Sequence, residues 1–300
     1  MGCRICYSEN VAPDPNTPSI IDHETFMNFE LYSCADCKSA FVLHAPEGAE
    51  LESHYHAQGG AKMRNEPSRI FSWARRRFML REIRNIERLV GKKSPLKILE
   101  VGSGDGSLVA LAQHLGHDVT ASDLFPVKDW KRTKIDYIQF TPGVLLQDTF
   151  SELGSVDVVI MRHVLEHVPD PQGLMTSLAH MNVKYLVITV PNWSSPFRRL
   201  LRNNWYYLDP PRHLSHFSAY SLRVLGEQAN WDLIRLSRVG IDELVTAAYR
   251  YCSIKFPNRV NGRMVDWIGP TSVPAGISSV FAKTFRTAAL TAVFENNSRK

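Results

Sequence analysis

The chain has 300 residues and a mass of 34.0 kDa, enough for one large domain or for one domain with a small module. Its content of 44% apolar and 22% charged residues excludes a disordered chain, a collagen-like chain and a disulfide scaffold. The net charge of +5 permits an anionic partner but does not predict one.

The chain contains no run of eighteen apolar residues, and its first residues, MGCRICYSEN, do not combine a basic segment with an apolar run. We therefore predict no membrane span and no secretory signal, and we expect a cytoplasmic protein.

Two identical Cys-x2-Cys pairs lie near the amino terminus, Cys3 with Cys6 and Cys34 with Cys37. Each pair places two thiolates on one tight turn, and together they offer four soft ligands for a tetrahedral Zn²⁺. We predict a structural zinc ribbon over residues 1–45. Redox pairs or scattered buried thiols are the alternatives, although neither pair begins a helix as a redox pair usually does.

Residues 46–95 are predicted to form a connector and a basic amphipathic helix. The stretch from Lys62 to Lys97 carries a local net charge of +9. From Arg69 to Val90, apolar residues recur at helical spacing and arginines fill the other faces. The favoured interpretation is a linker helix with a solvated basic face, and the alternative is a helix that binds a polyanion. In the connector, residues 54–56 (His-Tyr-His) could reach a cleft or remain exposed.

Strands alternate with helices throughout residues 96–300. The predicted strands are 97–101, 118–122, 135–140, 156–161, 185–190, 231–239 and 287–295, and the predicted helices are 108–115, 172–181 and 220–229. This order predicts a Rossmann-like, doubly wound α/β fold. Its mostly parallel, seven-stranded sheet would carry the zinc ribbon as a small amino-terminal module. Residues 240–285, which include Cys252, show no clear period.

A glycine-rich turn follows the first strand of this body, in ILEVGSGDGSL (98–108). Gly102, Gly104 and Gly106 allow a tight turn and a close approach of a ligand to the backbone. Their spacing differs from the G-x-G-x-x-G of nicotinamide sites. Glu100 would repel a pyrophosphate and attract a cationic amino-acid tail, and Asp123 ends the next strand, where a carboxylate can accept both ribose hydroxyls. An adenosine with a cationic tail is S-adenosylmethionine (SAM).

The segment Glu100–Gly106 together with Asp123 resembles the first two motifs of class I SAM-dependent methyltransferases. The likeness continues at MRHVLEHVPDP (161–171), which is similar to the motif after the fourth strand in the small-molecule branch, and at PPRHLSHFS (210–218). One subgroup of that branch also carries an amino-terminal CxxC…CxxC ribbon, so the resemblance covers most of the chain.

The resemblance implies a set of cofactor contacts. Glu100 would contact the methionine end of SAM or order the loop, Gly102 and Gly104 would pass under the ligand, and Asp123 would hold the ribose. Gly106 and Arg162 complete the cofactor set that the resemblance suggests. The family usually has an acid after the third strand, near the adenine amine, whereas residues 140–142 here are Phe-Thr-Pro. Only Gln139 could make a hydrogen bond there.

Methyl transfer from a sulfonium is an in-line displacement, and a hydroxyl acceptor must also lose its proton. We expect that proton to be taken by a histidine near the carboxyl ends of the strands. The candidates for catalysis are His163, Glu166 and His213. His167 is predicted to cap or pack its helix rather than react, and a metal held by His213 and His216 is disfavoured because no third ligand is evident.

The loop 191–217 is rich in aromatic and basic residues that could shape an acceptor site. Its aromatic candidates for the pocket wall, or for a lid over the cofactor, are Trp205, Tyr206 and Tyr207. The arginines that could grip a phosphate or carboxylate, or form a solvated rim, are Arg198, Arg199, Arg202 and Arg212.

The predicted function is methylation of a small molecule, with oxygen of a sugar, glycan precursor or secondary metabolite as the favoured acceptor. The alternatives are a sugar carbon-methyltransferase, an RNA methyltransferase and a non-catalytic zinc-ribbon scaffold. RNA is disfavoured because no N-P-P-Y or D-P-P-Y motif follows the fourth strand. The predicted cofactors are SAM and a structural Zn²⁺. A small substrate, either anionic or a glycan, is the expected partner, and a homodimer is left open.

Overall fold

The computed structural model describes residues 2–21, 27–46, 69–91, 95–124, 135–139, 153–239 and 288–299, together with residues 48, 50 and 150. Its strands are β1 Val11–Pro13, β2 Ser19–Ile21, β3 Asn28–Cys34, β4 Ala40–Val42, β5 Lys97–Val101, β6 Asp118–Asp123, β7 Asp136–Gln139, β8 Val156–Arg162, β9 Val183–Pro191, β10 Ser215–His216, β11 Trp231–Val239 and β12 Ala289–Asn296. Its helices are α1 Arg69–Val90, α2 Ser107–His114, α3 Pro171–His180, α4 Pro196–Leu201 and α5 Ala219–Gln228, and short 3₁₀ turns cover Leu165–His167, Arg202–Asn204, Tyr206–Leu208 and Asn297–Arg299.

A seven-stranded sheet forms the body of the protein, in the order β11-β12-β9-β8-β5-β6-β7. Five neighbouring strands, β9, β8, β5, β6 and β7, pair in parallel. Strand β12 pairs antiparallel with both β9 and β11. This confirms the predicted mostly parallel Rossmann-like sheet. Parallel pairing places the carboxyl ends of β5, β6 and β8 on one edge, where ligands of such sheets bind.

Both faces of the sheet are covered, because successive side chains of a strand point to opposite sides. Ile98 packs into the apolar core on one face with Ile83 of α1, whereas its neighbour Leu99 packs into the core on the other face with Leu178 of α3. The basic helix α1 therefore has the predicted buried apolar stripe. Its exposed face carries Arg76, Arg77, Arg81, Arg84 and Arg88.

The cysteine-bearing segment forms a second, smaller sheet in which β3 pairs with β1, β2 and β4. Strand β4 also pairs antiparallel with β10, which belongs to the loop after β9. Ala40 lies opposite His216 and Phe41 opposite Ser215 in this pairing. The ribbon is thus joined through backbone hydrogen bonds to the loop that leaves the carboxyl edge of the main sheet.

The element boundaries differ from the sequence predictions mainly at the ends. Strand β9 extends the prediction by two residues at its start and one at its end, and the predicted loop 191–217 contains helix α4 and strand β10. Ser218 caps α5 as predicted. Its hydroxyl accepts a hydrogen bond from the Ser221 N–H, and the Ser221 hydroxyl accepts one from the Ser218 N–H. The histidine-rich connector at 54–56, Cys252 and residues 240–287 lie outside the described residues.

Within the described residues, no helix combines the length and the apolarity that crossing a membrane requires. This agrees with the sequence, in which no long apolar run was found.

A buried ion pair joins the ribbon to the loop after β9. Nη2 of Arg198 lies 2.6 Å from Oδ1 of Asp14, and both side chains are at most 5% exposed. Asp14 also accepts hydrogen bonds from the backbone N–H of Thr17 and the hydroxyl of Ser33, and the Arg198 guanidinium lies 3.4 Å from the ring centroid of Trp193. Protein groups surround the pair. Removal of either charge would leave the other buried without its counter-ion.

Replacing Arg198→Met should lower the free energy of unfolding by about 3–5 kcal/mol, because Asp14 keeps a buried charge without its counter-ion. Urea unfolding followed by circular dichroism measures this loss. Arg199→Met, at the exposed neighbouring position, should change stability by less than about 0.5 kcal/mol. Equal effects of the two substitutions would contradict a special role for the buried pair.

Candidate cofactor and acceptor site

The glycine-rich loop occupies the turn between β5 and α2. Gly102, Gly104 and Gly106 all have positive φ angles, of 72°, 56° and 71°. A Cβ at Gly102 would stand 2.2 Å from Cγ2 of Val164, whereas a Cβ at Gly104 would meet nothing within 4 Å. Glycine at 102 therefore lets the loop pack on the segment after β8, and glycine at 104 leaves open space above the backbone.

Asp123 closes this loop from the end of β6. Its Oδ2 accepts a hydrogen bond of 2.7 Å from the N–H of Gly104, and its carbonyl accepts one of 2.7 Å from the hydroxyl of Tyr137. Gln139 ends β7 on the same edge, where its side-chain amide lies 3.5 Å from the carbonyl of Leu124. The structure thus places Asp123 against the glycine loop and Gln139 beside the residue that follows Asp123. Residues 140–142 lie outside the described part of the chain.

Glu100 lies fully buried beneath the loop, in a cluster that the sequence did not reveal. Its Oε1 accepts hydrogen bonds of 2.7 Å from Nη2 and 3.2 Å from Nε of Arg162. Nη1 of Arg162 lies 3.8 Å from Oε2 of Glu82, which comes from the basic helix α1. Burial raises the pKa of Glu82, and burial also raises the pKa of Glu100 to about 7 despite the opposing charge of Arg162.

The groups at this edge of the sheet fit SAM. Glu100 has a buried Oε2 with no hydrogen-bond partner among the described residues, and such an oxygen can accept from an ammonium group. Asp123 stands where ribose hydroxyls are bound in this kind of sheet, and the space above Gly104 admits a ligand to the backbone. The Arg162 guanidinium contacts both Glu100 and Glu82. It therefore holds the Glu100 side chain in position.

His163 and Glu166 form a pair directly after β8. Nδ1 of His163 lies 3.2 Å from Oε1 of Glu166. The histidine side chain is 45% exposed and that of Glu166 only 1%. Burial opposes ionisation of Glu166, but the hydrogen bond from His163 and the neighbouring imidazoles outweigh it and lower the pKa of Glu166 to about 2. His163 has a φ of 54°, a strained backbone conformation for a residue that is not glycine.

His167 and His213 pack edge to face on the buried side of this pair, with ring centroids 4.6 Å apart. Nδ1 of His167 lies 3.0 Å from the carbonyl of Arg212, and Nδ1 of His213 lies 2.7 Å from the carbonyl of Tyr207. Burial lowers the pKa of His167 to about 4, so its ring is neutral near pH 7. The predicted packing role of His167 and the predicted position of His213 near the site are both consistent with this arrangement.

The loop 191–217 is more strongly buried than its composition suggests. Trp205 is fully buried in an apolar cluster with Trp193, so it belongs to the core rather than to an acceptor wall. The Tyr207 ring lies parallel to that of His163, with centroids 6.3 Å apart, and the side chain of Tyr206 is outside the described part of the chain. His216 stacks on Trp193 at 5.0 Å, and burial holds the pKa of His216 well below its usual value.

Two of the four arginines proposed to grip an anion are already paired. Arg198 is buried against Asp14, and Nη2 of Arg212 lies 2.6 Å from Oδ1 of Asp209. Arg199 and Arg202 are exposed at the surface of this loop. The structure therefore contradicts a role for Arg198 in substrate binding, because its guanidinium cannot leave Asp14 without exposing a buried charge to an apolar surrounding.

The four cysteines converge in the ribbon. The Sγ atoms of Cys3 and Cys37 are 3.6 Å apart, as are those of Cys6 and Cys34, and all four lie within 4.8 Å of one another. A Zn–S distance of about 2.3 Å gives tetrahedral sulfurs about 3.8 Å apart, so the cluster fits a zinc ion. The hydrogen bond between Cys37 and Cys3 lowers the pKa of the Cys3 thiol and raises that of Cys37.

The comparison with known protein families identifies the fold. A family model described as "Methyltransferase domain" matches residues 72–236. The chain belongs to this methyltransferase family. The match begins in α1 and ends in β11, so it includes the glycine loop, Asp123 and the His163–Glu166 pair. This is the class I SAM-dependent family that the motifs resemble, and SAM is its methyl donor.

Individual relatives are more distant. A ubiquinone biosynthesis O-methyltransferase from Xanthomonas oryzae pv. oryzae is 34% identical over 94 residues, which cover 28% of this chain and 38% of that protein. The 1,6-didemethyltoxoflavin-N1-methyltransferase of Burkholderia thailandensis is 14% identical, with a TM-score of 0.49, over 87% of this chain and 97% of that one. Magnesium protoporphyrin IX methyltransferase of Synechocystis PCC 6803 is 16% identical, with a TM-score of 0.45, over 64% and 92%.

Sequence reasoning missed two contributions of α1 to this site. Glu82 reaches the buried side of Arg162, and Arg75 forms two hydrogen bonds of 2.6 and 2.9 Å with Asp105 in the glycine loop. In the sequence, Glu82 stood out only as an acidic residue among many arginines, next to the buried Ile83. A partner 80 residues away along the chain could not be inferred from that position.

Replacing Gly104→Ala should weaken SAM binding by at least about tenfold, because the new methyl group would project into the open space above the loop. The left-handed backbone at 104 would also cost roughly 1–2 kcal/mol. Gly154→Ala is the matched control, since Gly154 has a φ of 64° and a methyl group added there would meet no atom within 4 Å. Isothermal titration with SAM should show normal binding for the control, and equal affinities for both variants would refute the assigned cradle.

Proposed function

We propose that the protein transfers the methyl group of SAM to an oxygen of a small hydroxylated molecule, and that His163 takes the hydroxyl proton. The observation that carries this proposal is the His163–Glu166 pair at the carboxyl end of β8. Val164, the residue after His163, packs against Gly102 of the cofactor loop, so the half-exposed imidazole stands beside the cradle. Exposure is needed for a group that must meet a substrate.

The hydrogen bond to Glu166 supports the assignment of His163 as the base. A buried carboxylate can only accept, so Nδ1 of His163 carries the proton and Nε2 is the ring nitrogen that can take another. The Glu166 charge would then stabilise the imidazolium that forms. Where a carboxylate orients a histidine base, the histidine takes the proton and the carboxylate stabilises the imidazolium in this way. When bound, SAM supplies the electrophilic methyl group, and the sulfur leaves without help from the protein.

Two observations support a small acceptor bound at oxygen. Strand β10, which pairs with β4 of the ribbon, follows Leu214, whose N–H bonds the Glu166 carbonyl, and the Tyr207 ring lies parallel to that of His163, an arrangement that suits a small acceptor. The curated relative, which matches over a minor part of its length, is named as an O-methyltransferase. We propose a sugar, glycan precursor or secondary metabolite as the acceptor, and the exposed Arg199 and Arg202 suit one with a negative charge.

His163→Gln should lower kcat by about 10²- to 10⁴-fold, the usual contribution of a general base, and should leave the affinity for SAM unchanged. The assay follows S-adenosylhomocysteine formation over a panel of hydroxylated aromatic compounds and sugars, and NMR of the product locates the methyl group. His180→Gln, an exposed position on α3, is the control and should retain full activity. A methyl group on carbon or nitrogen, or full turnover by His163→Gln, would exclude the proposal.

We further propose that the cysteine cluster holds one structural Zn²⁺ and that residues 1–45 act as a cover whose shape depends on it. The ribbon has a small core, and its β4 provides hydrogen bonds to the acceptor loop through β10. We propose three units: the amino-terminal ribbon, the connector with its basic helix, and the catalytic body from residue 96.

Cys34→Ser should remove zinc and weaken the β4–β10 pairing, because a tetrahedral site that loses a thiolate no longer fixes the ribbon turns. Hydrogen exchange should then rise at residues 214–216 while β5 and β6 stay protected. Lys38→Gly removes a side chain between the two cluster strands without touching a thiolate, and should keep zinc and protection. Unchanged protection at 214–216 in a zinc-free Cys34→Ser protein would refute the coupling.

A further inference from the structure

Glu166 of the His163–Glu166 pair also belongs to a second cluster of metal-ligand type, which has three members. One candidate ligand atom from each of Glu166, His167 and His213 lies within 4.8 Å of the other two. They come from the turn after β8 and from the loop before β10, about 45 residues apart in sequence. The spacing of His213 and His216 had disfavoured a metal for want of a third ligand, whereas the structure groups His213 with His167 and Glu166.

Hydrogen bonding sets the tautomer of both imidazoles. Nδ1 of His167 faces the carbonyl of Arg212 and Nδ1 of His213 faces the carbonyl of Tyr207, at 3.0 and 2.7 Å. A carbonyl can only accept, so each Nδ1 carries the proton and each Nε2 is the nitrogen without one. Histidines that bind metals are usually held in this way, with the other nitrogen donating to a backbone carbonyl.

Glu166 supplies an independent indication of a ligand. Its side chain is 1% exposed and its Oε1 is engaged by His163, yet its Oε2 is buried and has no hydrogen-bond partner among the described residues. A buried carboxylate oxygen without a donor is costly, and a cation placed between it and the two imidazoles would satisfy it.

We propose that Glu166, His167 and His213 bind one divalent transition-metal ion of the zinc class, separate from the cysteine cluster. Two imidazoles and one carboxylate are a common ligand set for such an ion. Zn–N and Zn–O distances of about 2.0–2.2 Å place tetrahedral ligands roughly 3.4 Å apart, so the three atoms must contract by about 1.4 Å at most. A further carboxylate, that of Asp209, has its Oδ2 3.8 Å from Nε2 of His213.

Three protein ligands leave a fourth position, and the half-exposed His163 contacts Glu166, one of the three ligands. If the transfer proposed above is correct, an acceptor oxygen in that position would be polarised by the ion while His163 removes its proton. The binding of the metal does not depend on that chemistry, so the two ideas can fail separately.

Metal stoichiometry of the full, untagged chain tests the proposal. After loading with Zn²⁺ and exhaustive dialysis, plasma mass spectrometry should find two zinc ions per native chain. Glu166→Gln and His213→Gln should each retain one, while His180→Gln should retain two. Glu166→Gln keeps the shape and the hydrogen bond to His163, so it reports on the site even if His213→Gln does not fold, as judged by circular dichroism.

Cobalt substitution gives a second readout on the native protein alone. The first equivalent should produce the strong thiolate-to-cobalt absorption of the cysteine cluster, and the second only weak d–d bands that are absent from Glu166→Gln. His163→Gln should still bind two ions although it fails in methyl transfer, which separates this proposal from the proposed base. A native chain that binds one equivalent only, lost in Cys34→Ser and unchanged in Glu166→Gln, would overturn the second site.

Discussion

Strand β5 hydrogen-bonds in parallel to β6 on one side and to β8 on the other, in a register that ends all three strands at the same edge. That register decides where every group of the proposed site stands. Glu100 and the glycine loop leave from β5, Asp123 ends β6, and Arg162 ends β8 just before His163. The contact of Gly102 with Val164 then brings the glycine loop and the proposed base, His163, within one packed layer. A side chain at residue 102 would force these two loops apart.

The charged side chains at this edge are arranged so that three arginines each lie beside a carboxylate. Arg162 is shared by Glu100 and Glu82, Arg198 is matched to Asp14, and Asp105 is matched to Arg75. Each pair joins parts of the chain that are far apart in sequence. Burial makes an unpaired charge costly, so these contacts favour one arrangement of helix, ribbon and sheet over looser ones. Among the described residues, Glu82, Glu100 and Glu166 each keep a buried carboxylate oxygen without a hydrogen-bond partner, and we assign that of Glu100 to SAM and that of Glu166 to a metal.

The ribbon contributes more to the proposed acceptor site than a separate module would. Its β4 provides half of the β4–β10 pairing, which holds His216 and positions the turn that carries His213. The backbone N–H of Leu214 also donates to the carbonyl of Glu166, so the same short segment touches the turn after β8. The four cysteines therefore influence catalysis, in our proposal, through backbone geometry rather than by contact with a substrate.

The sequence by itself determined the order of strands and helices, the α/β class, the zinc-type spacing of the cysteines and the identity of the cofactor loop. These follow from local rules, because apolar periodicity, glycine spacing and the reach of a carboxylate depend on neighbours along the chain. Only the tertiary structure decided that Glu82 belongs beside Arg162, that Arg198 is buried, that Trp205 is core, and that His213 lies beside Glu166 and His167. Those outcomes depend on which distant segments meet at the edge of the sheet, and a pairwise contact between residues dozens of positions apart leaves no periodic trace in a single sequence.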